Sequence, residues 1–287
     1  NELRAIAERN RAVFCSAGPS LQRNIDLLAD PEVQDRVVIV AVQTVLKPLL
    51  ARGIRPQFVT DLDHHEISKR FYENLTVHDV EGVTLVIEPK ANPAIPDSYP
   101  GEIRVTGDAR LDELLGPEIV GPEPKARIKP GATVAHLAYY LARFLGCDPI
   151  ILIGQDLGFT DGQYYADGAS IHNIWACELN QFRTLEMFEW ERIVRNRRHL
   201  RPMQDHLGRK IYSDAQMETY LAHFEDDFAK DIAKGLCIID ATEGGVRKRG
   251  PKVATLRDAL HAHALHALHL RSSGNASGAA AELTAVP

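Results

Sequence analysis

Apolar residues in this chain fall into short continuous runs. Ala12–Ser16, Val37–Val42, Phe58–Thr60, Val83–Ile87, Pro149–Ile153 and Cys237–Ile239 are the clearest, with a weaker run at Ile103–Val105. Runs of that length, without alternation, predict strands covered on both faces. Segments of helical spacing lie between them. Leu21–Leu28 follows Ser20, a residue type suited to an N-cap, and Thr44–Arg52 stops at Gly53. Val134–Leu145 opens after Pro130-Gly131-Ala132-Thr133 and stops at Gly146, and Glu178–Leu200 and Met217–Ile232 are amphipathic. Strands alternating with helices predict an α/β fold: a Rossmann-like, mostly parallel sheet with helices on both faces, from about residue 8 to 245. Glu88–Lys129, with seven prolines, reads as a link between two halves of the sheet or an edge of the site. The stretch from His261 (HAHALHALHL) reads as an Ala/Leu helix with a polar His face, although its spacing also resembles a metal cluster. Arg271–Pro287 is small, polar and patternless, which predicts disorder. The chain thus divides into a core, residues 1–260, and a tail, residues 261–287.

Charge narrows the classes of partner. The 33 basic and 39 acidic residues leave a net charge of −6, so a broad basic face for nucleic acid is not expected. The local basic run Arg192–Arg201 reads as a solvated helix face rather than as a contact for a phosphate or an acidic partner. No stretch approaches the ~20 apolar residues that span a bilayer, so no membrane partner is expected. Cys15, Cys147, Cys177 and Cys237 are dispersed and form no CxxC pair, which argues against a zinc ribbon or redox motif. With no signal-peptide pattern at the start, these features suggest a reducing cytoplasm. Oligomeric state is not legible.

The predicted strands end in polar motifs. In open parallel sheets, ligands bind outside the carboxyl ends of the strands. Gly18-Pro19-Ser20 is a strand-to-helix turn suited to an anion, or a tight turn with a capping serine. It matches neither GxGxxG nor a Walker loop. Asp61 and Asp63 either share a divalent cation or a ribose, or cap a strand and the next helix. Gly131 and Thr133 open a helix whose start can take a phosphate, and His136 in that helix reads as packed. Gln155 and Asp156 end the strongest strand, and Asp156 is a candidate general base. The polar stretch Gly158–His172 reads as a lid, with His172 either an acid/base group or a surface residue. Thr242 and Glu243, in Asp240–Gly245, either approach a ligand or turn the chain out of the sheet.

Five blocks together resemble one family: AGPSL at Ala17–Leu21, IRPQFVTDLD at Ile54–Asp63, KPGATVAHLA at Lys129–Ala138, PIILIGQDLGFTDG at Pro149–Gly162 and IIDATEGG at Ile238–Gly245. They are similar in order and spacing to the Maf (motility-associated factor) flagellin glycosyltransferases, with their MptE-like (DUF115) core, over about residues 10–260. The resemblance implies a sialyltransferase-like fold. It also implies transfer of a nonulosonic acid, of pseudaminic or legionaminic type, from a CMP-activated donor to Ser or Thr of a flagellin-like protein. Gly18, Pro19, Ser20, Asp61, Asp63, Gly131, Thr133, Gln155, Asp156, Thr242 and Glu243 fall on its motif positions. That reaction requires no cofactor, and Mg²⁺ is compatible with it. Maf proteins are commonly longer than this core, and often carry a His soon after the GQDL block, where this chain has Tyr164-Tyr165. The same core occurs in 6-hydroxymethyl-dihydropterin pyrophosphokinases, which would use ATP and place Mg²⁺ on Asp61 and Asp63. A third reading is a non-catalytic module that binds nucleotide sugars.

Overall fold

Every residue of Val37–Val42 is buried. Successive strand side chains point to opposite faces, so this strand is covered on both. The computed structural model describes residues 11–116, 118, 127–169 and 172–265. Its main sheet has eight strands: β1 (Arg11–Cys15), β2 (Val37–Val42), β3 (Phe58–Asp61), β4 (Thr84–Ile87), β5 (Glu102–Val105), β6 (Ile150–Ile153), β9 (Ile238–Asp240) and β10 (Lys252–Val253). A separate antiparallel hairpin supplies β7 (Leu200–Gln204) and β8 (Lys210–Asp214). The sheet order is β10-β9-β6-β1-β2-β3-β4-β5, and every pairing in it is parallel. The α/β class and the parallel sheet expected from the apolar runs are therefore found.

Three longer helices matter most for the site: α1 (Val134–Phe144), α2 (Leu185–Arg195) and α3 (Ala215–Ile232). The largest apolar cluster joins β1, β2 and β6 to Leu137 and Leu141 of α1, Phe224 and Phe228 of α3, and the short helix Leu256–Leu260. A second cluster, around Leu46, Val59, Tyr72 and Leu85, lies towards the β4 side. The described part of Glu88–Lys129 holds the short helix Ala94–Ser98, which contains Pro96, the edge strand β5 and the helix Ala109–Leu115.

Several element readings are corrected. Leu21–Leu28 is two 3-10 turns, Pro19–Arg23 and Ile25–Ala29, because Asn24 breaks the helical path between them. Ser20 caps neither turn; its hydroxyl is used elsewhere. Thr44–Arg52 divides into a 3-10 turn, Gln43–Val45, and a helix, Leu46–Leu50. The amphipathic stretch Glu178–Leu200 is not one helix. A tight turn pairs Asn180 with Arg183, Thr184 caps a fresh start, and the chain leaves at Asn196 and enters β7 at Leu200. α3 starts at Ala215, before Met217, because Asp214 accepts from the Met217 amide at 2.8 Å. Residues His261–Leu265 continue the helix Leu256–Leu260 as a π turn. His266, His269 and the stretch Arg271–Pro287 lie outside the described residues. Cys15, Cys147 and Cys237 are free thiols.

Candidate functional site

The strand order locates the site. From β1 the chain lays down β2 to β5 on one side, then returns to place β6, β9 and β10 on the other. The reversal falls between β1 and β6, where diverging connections leave a crevice at the strand ends. A cleft of about 340 Å³ opens there. Ser16–Pro19 after β1, Val42–Thr44 after β2 and Gly154–Gly158 after β6 line it. Thr133–Ala135 at the start of α1, Tyr164-Tyr165, and Gln216, Met217 and Tyr220 of α3 close its walls.

Asp156 ties three remote segments together. Ser20 donates to it twice, from Oγ to Oδ1 at 2.6 Å and from the amide to Oδ2 at 3.1 Å. Thr160 Oγ1 also donates to Oδ2. The Asp156 carbonyl accepts the Val246 amide at 2.7 Å, and the Gly245 amide donates to Thr160 Oγ1 at 3.0 Å. A Cβ on Gly18 would stand 2.1 Å from Asp156 Oδ1, and one on Gly245 would stand 2.3 Å from Asp156 Cα. These glycines are where two backbones meet. Burial raises the Asp156 pKa above the usual carboxylate range, against the bonds from Ser20 and Thr160.

The opposite wall is a helix start. Thr133 is the N-cap of α1 and accepts the His136 amide at 3.3 Å. First-turn amides of a helix have no intrahelical acceptor, so Val134 and Ala135 offer N–H groups where they line the cleft. Glu88, just past β4, accepts the Gly131 amide at 2.7 Å and pairs with Lys90 at 2.8 Å, which holds this turn in place. His136 is packed: it stacks on Phe224 with ring centroids 3.8 Å apart, and burial, with His223 adding to it, pushes its pKa down to about 4. Gln43 and Gln155 are both buried in the cleft lining, and their Oε1 atoms have no hydrogen-bond partner among the described residues.

The remaining sequence candidates lie off the cleft. Asp61 and Asp63 diverge. Asp61 is buried, accepts the Tyr72 hydroxyl and the Asp63 amide, each at 2.9 Å, and has its pKa pushed up to about 6 by burial. Asp63 accepts from Ser68 Oγ at 2.5 Å and contacts His65 Nδ1 at 2.9 Å. Burial raises the Asp63 pKa, but these bonds outweigh it, and the group titrates below the usual range. Asp63, His64 and His65 bring ligand atoms within 4.8 Å of one another, so any divalent cation here would be held by that trio; Asp61 is not part of it. His172 is buried behind the Tyr164 wall: its Nε2 lies 2.8 Å from Glu189 Oε1, and Glu189 Oε2 accepts the Tyr164 amide at 2.6 Å. Thr242 is fully buried. Glu243, at φ 55°, accepts from Asn24 Nδ2 and from the Leu256 amide, each at 3.0 Å. It joins two elements outside the cleft.

Gln43, Glu88, Thr160, Glu189 and Tyr220 were missed in the sequence. Gln43 and Glu88 each directly follow an apolar strand, the signal that found Asp156. Glu189 sits mid-helix, and nothing local marks it. Among the described residues the cleft lining has no Lys or Arg, and Asp156 is its sole charged side chain.

With this geometry in view, the family described as 6-hydroxymethylpterin diphosphokinase MptE-like matches residues 1–162, more than half of the chain. The chain belongs to the MptE-like family. The matched span of this MptE-like protein contains β1 to β6 and the turns at Gly18, Asp61, Gly131 and Asp156. Its fold is similar to the structure of a Maf glycosyltransferase from Magnetospirillum magneticum AMB-1, with a TM-score of 0.56 and 19% identity. The alignment covers 88% of this chain and 37% of that one, so the MptE-like chain spans well under half of the Maf structure's length. No curated protein matches it. Among the described residues, no helix is long and apolar enough to cross a membrane.

Proposed function

We propose that this MptE-like protein is a glycosyltransferase that moves a nonulosonic acid from a CMP-activated donor to a Ser or Thr hydroxyl of a flagellin-like protein. The observation that carries this reading is the charge of the cleft: helix-start amides for an anion, and no cationic side chain in the described lining. One phosphate suits such a wall, because aligned peptide dipoles stabilise a single anion by about 0.3–1 kcal/mol at an exposed helix start, and up to ~2 kcal/mol when partly buried. A triphosphate would call for cations that the described lining lacks.

In the reaction, the bond from the anomeric carbon to the phosphate oxygen breaks and CMP leaves with the electron pair. The acceptor oxygen bonds to that carbon, and its proton passes to Asp156. Oδ1 of Asp156 accepts one bond, from Ser20, and retains a lone pair. Its raised pKa makes it a better proton acceptor than an exposed carboxylate. The amides of Val134 and Ala135 stabilise the charge growing on the leaving phosphate. Gln43 and Gln155 present amide groups for the base and sugar. His172, one layer back, positions Tyr164 through Glu189.

The family description favours a second reading, ATP-dependent pyrophosphoryl transfer to a pterin, with the cation on Asp63, His64 and His65. A thermal-shift panel of CMP, CDP, UDP, ADP and ATP, each with and without Mg²⁺, separates the two. A ligand at 100 times its Kd adds about 2.7 kcal/mol of stability. The leading reading expects a metal-independent shift selective for CMP. A shift with ATP that requires Mg²⁺ would replace it with the second.

A further inference from the structure

A second hollow, about 820 Å³, lies on the outer face of α2. Met187, Trp190 and Val194 recur at i, i+3 and i+7, so they form one stripe along that helix. Phe182 extends the stripe. Phe182, Met187 and Trp190 are 79%, 54% and 56% exposed, a concentration of large apolar side chains at the surface. Arg195, Arg197, Arg198 and His199 rim the hollow. Arg195 is engaged by Glu191 at 2.5 Å. Arg197 and Arg198 are exposed and have no acidic partner among the described residues. In a chain of net charge −6, this end of α2 is locally basic.

A neighbouring face of the same helix meets the cleft wall. Glu189 and Ile193 are buried there, and Glu189 holds His172 and the Tyr164 amide. The Trp190 ring also lies beside Gly162, in the turn that leads to Tyr164. One helix therefore carries the lip of the cleft on one face and an apolar, cationic groove on the adjacent face.

We infer that the groove over Phe182, Met187 and Trp190, rimmed by Arg197 and Arg198, docks an acidic amphipathic segment of the acceptor protein. The occupant follows from the chemistry: apolar anchors at helical spacing fill the stripe, and carboxylates meet the two unpaired guanidinium groups. The acceptor identity rests on the glycosyltransferase reading; the docking of an acidic segment does not.

The test uses the full chain and an eighteen-residue synthetic peptide with Leu at i, i+3, i+4 and i+7 and Asp or Glu elsewhere. Trp190 is the exposed one of two tryptophans, and Trp175 is buried, so Trp190 emission reports contact with the groove. A blue shift is expected on titration. It should be lost in Trp190→Phe and weakened about tenfold in the double variant Arg197→Glu, Arg198→Glu. It should also weaken as salt is raised. Unchanged far-UV circular dichroism checks that these surface variants fold.

Equal binding of a Lys/Gln version of the peptide would overturn the proposal. So would Trp190 burial by phosphatidylglycerol vesicles but not by the peptide, which would make the groove a lipid contact. Self-association abolished by Trp190→Phe would assign the groove to a second copy. CMP thermal shifts on the same samples separate the two levels of inference. Peptide binding without a CMP shift leaves the dock and removes the donor reading; a CMP shift without peptide binding does the reverse.

Discussion

Gly18 has no room for a side chain. A methyl group there would meet Asp156 Oδ1 at 2.1 Å and the Gly154 carbonyl at 2.5 Å, and the carbonyl belongs to a backbone that cannot swing away. Gly18→Ala should destabilise the protein by about 1–3 kcal/mol, the usual cost of overpacking. It should also abolish nucleotide-induced stabilisation, which urea denaturation with and without CMP would measure. The same residues show the reach of sequence reading. Gly18, Ser20, Gln155 and Asp156 were found because each follows a buried strand. That they meet was not legible, since Ser20 and Asp156 are 136 residues apart. Ser20 in particular suits an N-cap by composition, yet its hydroxyl serves a carboxylate that no local pattern reveals.

At the scale of elements, α1 offers the cleanest test. Thr133 closes its first turn through the His136 amide. Thr133→Ala should cost about 1 kcal/mol, the typical value of an N-cap, and Thr133→Ser should recover most of it. If the helix start holds the donor phosphate, the alanine variant should also weaken CMP binding, a loss that isothermal titration reads separately from stability. Continuous runs such as Val37–Val42 and Pro149–Ile153 were readable as elements because burial on both faces leaves no polar position inside them. Glu178–Leu200 was misread because helical spacing persists across a break. Only the turn at Asn180–Arg183 and the cap at Thr184 mark it, and both look like ordinary helix-surface residues. The hairpin β7–β8 was missed because β7 (Leu200–Gln204) is mostly exposed and carries no apolar alternation.

Across the whole molecule, two buried groups set opposing pH dependences. Asp61 titrates in the fold at about 6, above its ordinary value of 3.8. The folded state holds that proton more tightly, so the stability it contributes is full below 3.8 and lost as pH rises through about 6. His136 titrates at about 4, below its ordinary 6.5. Its contribution is present above 6.5 and lost as pH falls through about 4. Each is worth on the order of 3 kcal/mol, and between the two values they offset one another. Asp61→Asn should leave a stability that climbs from pH 4 to 6, and His136→Phe one that declines over the same range. Denaturant midpoints across that range would test both; parallel profiles for the two variants would refute the assignment. The parallel fold was legible at this scale, because alternation of buried strands with helices admits few topologies. The strand order was not, since periodicity says nothing of which strand becomes the neighbour of which.

The knot around Asp156 also bears on when the protein becomes competent during synthesis. Residues 1–162 supply the Gly18 turn, the α1 start and Asp156 itself, but not the loop that clamps them. Gly245 reaches Thr160 across 85 residues of chain, and Val246 closes on the Asp156 carbonyl. A nascent chain with β6 already paired would have a sheet with a loose crevice, because contacts of such long separation form late. Ligand capture should therefore switch on only after β9 and its following loop have left the ribosome.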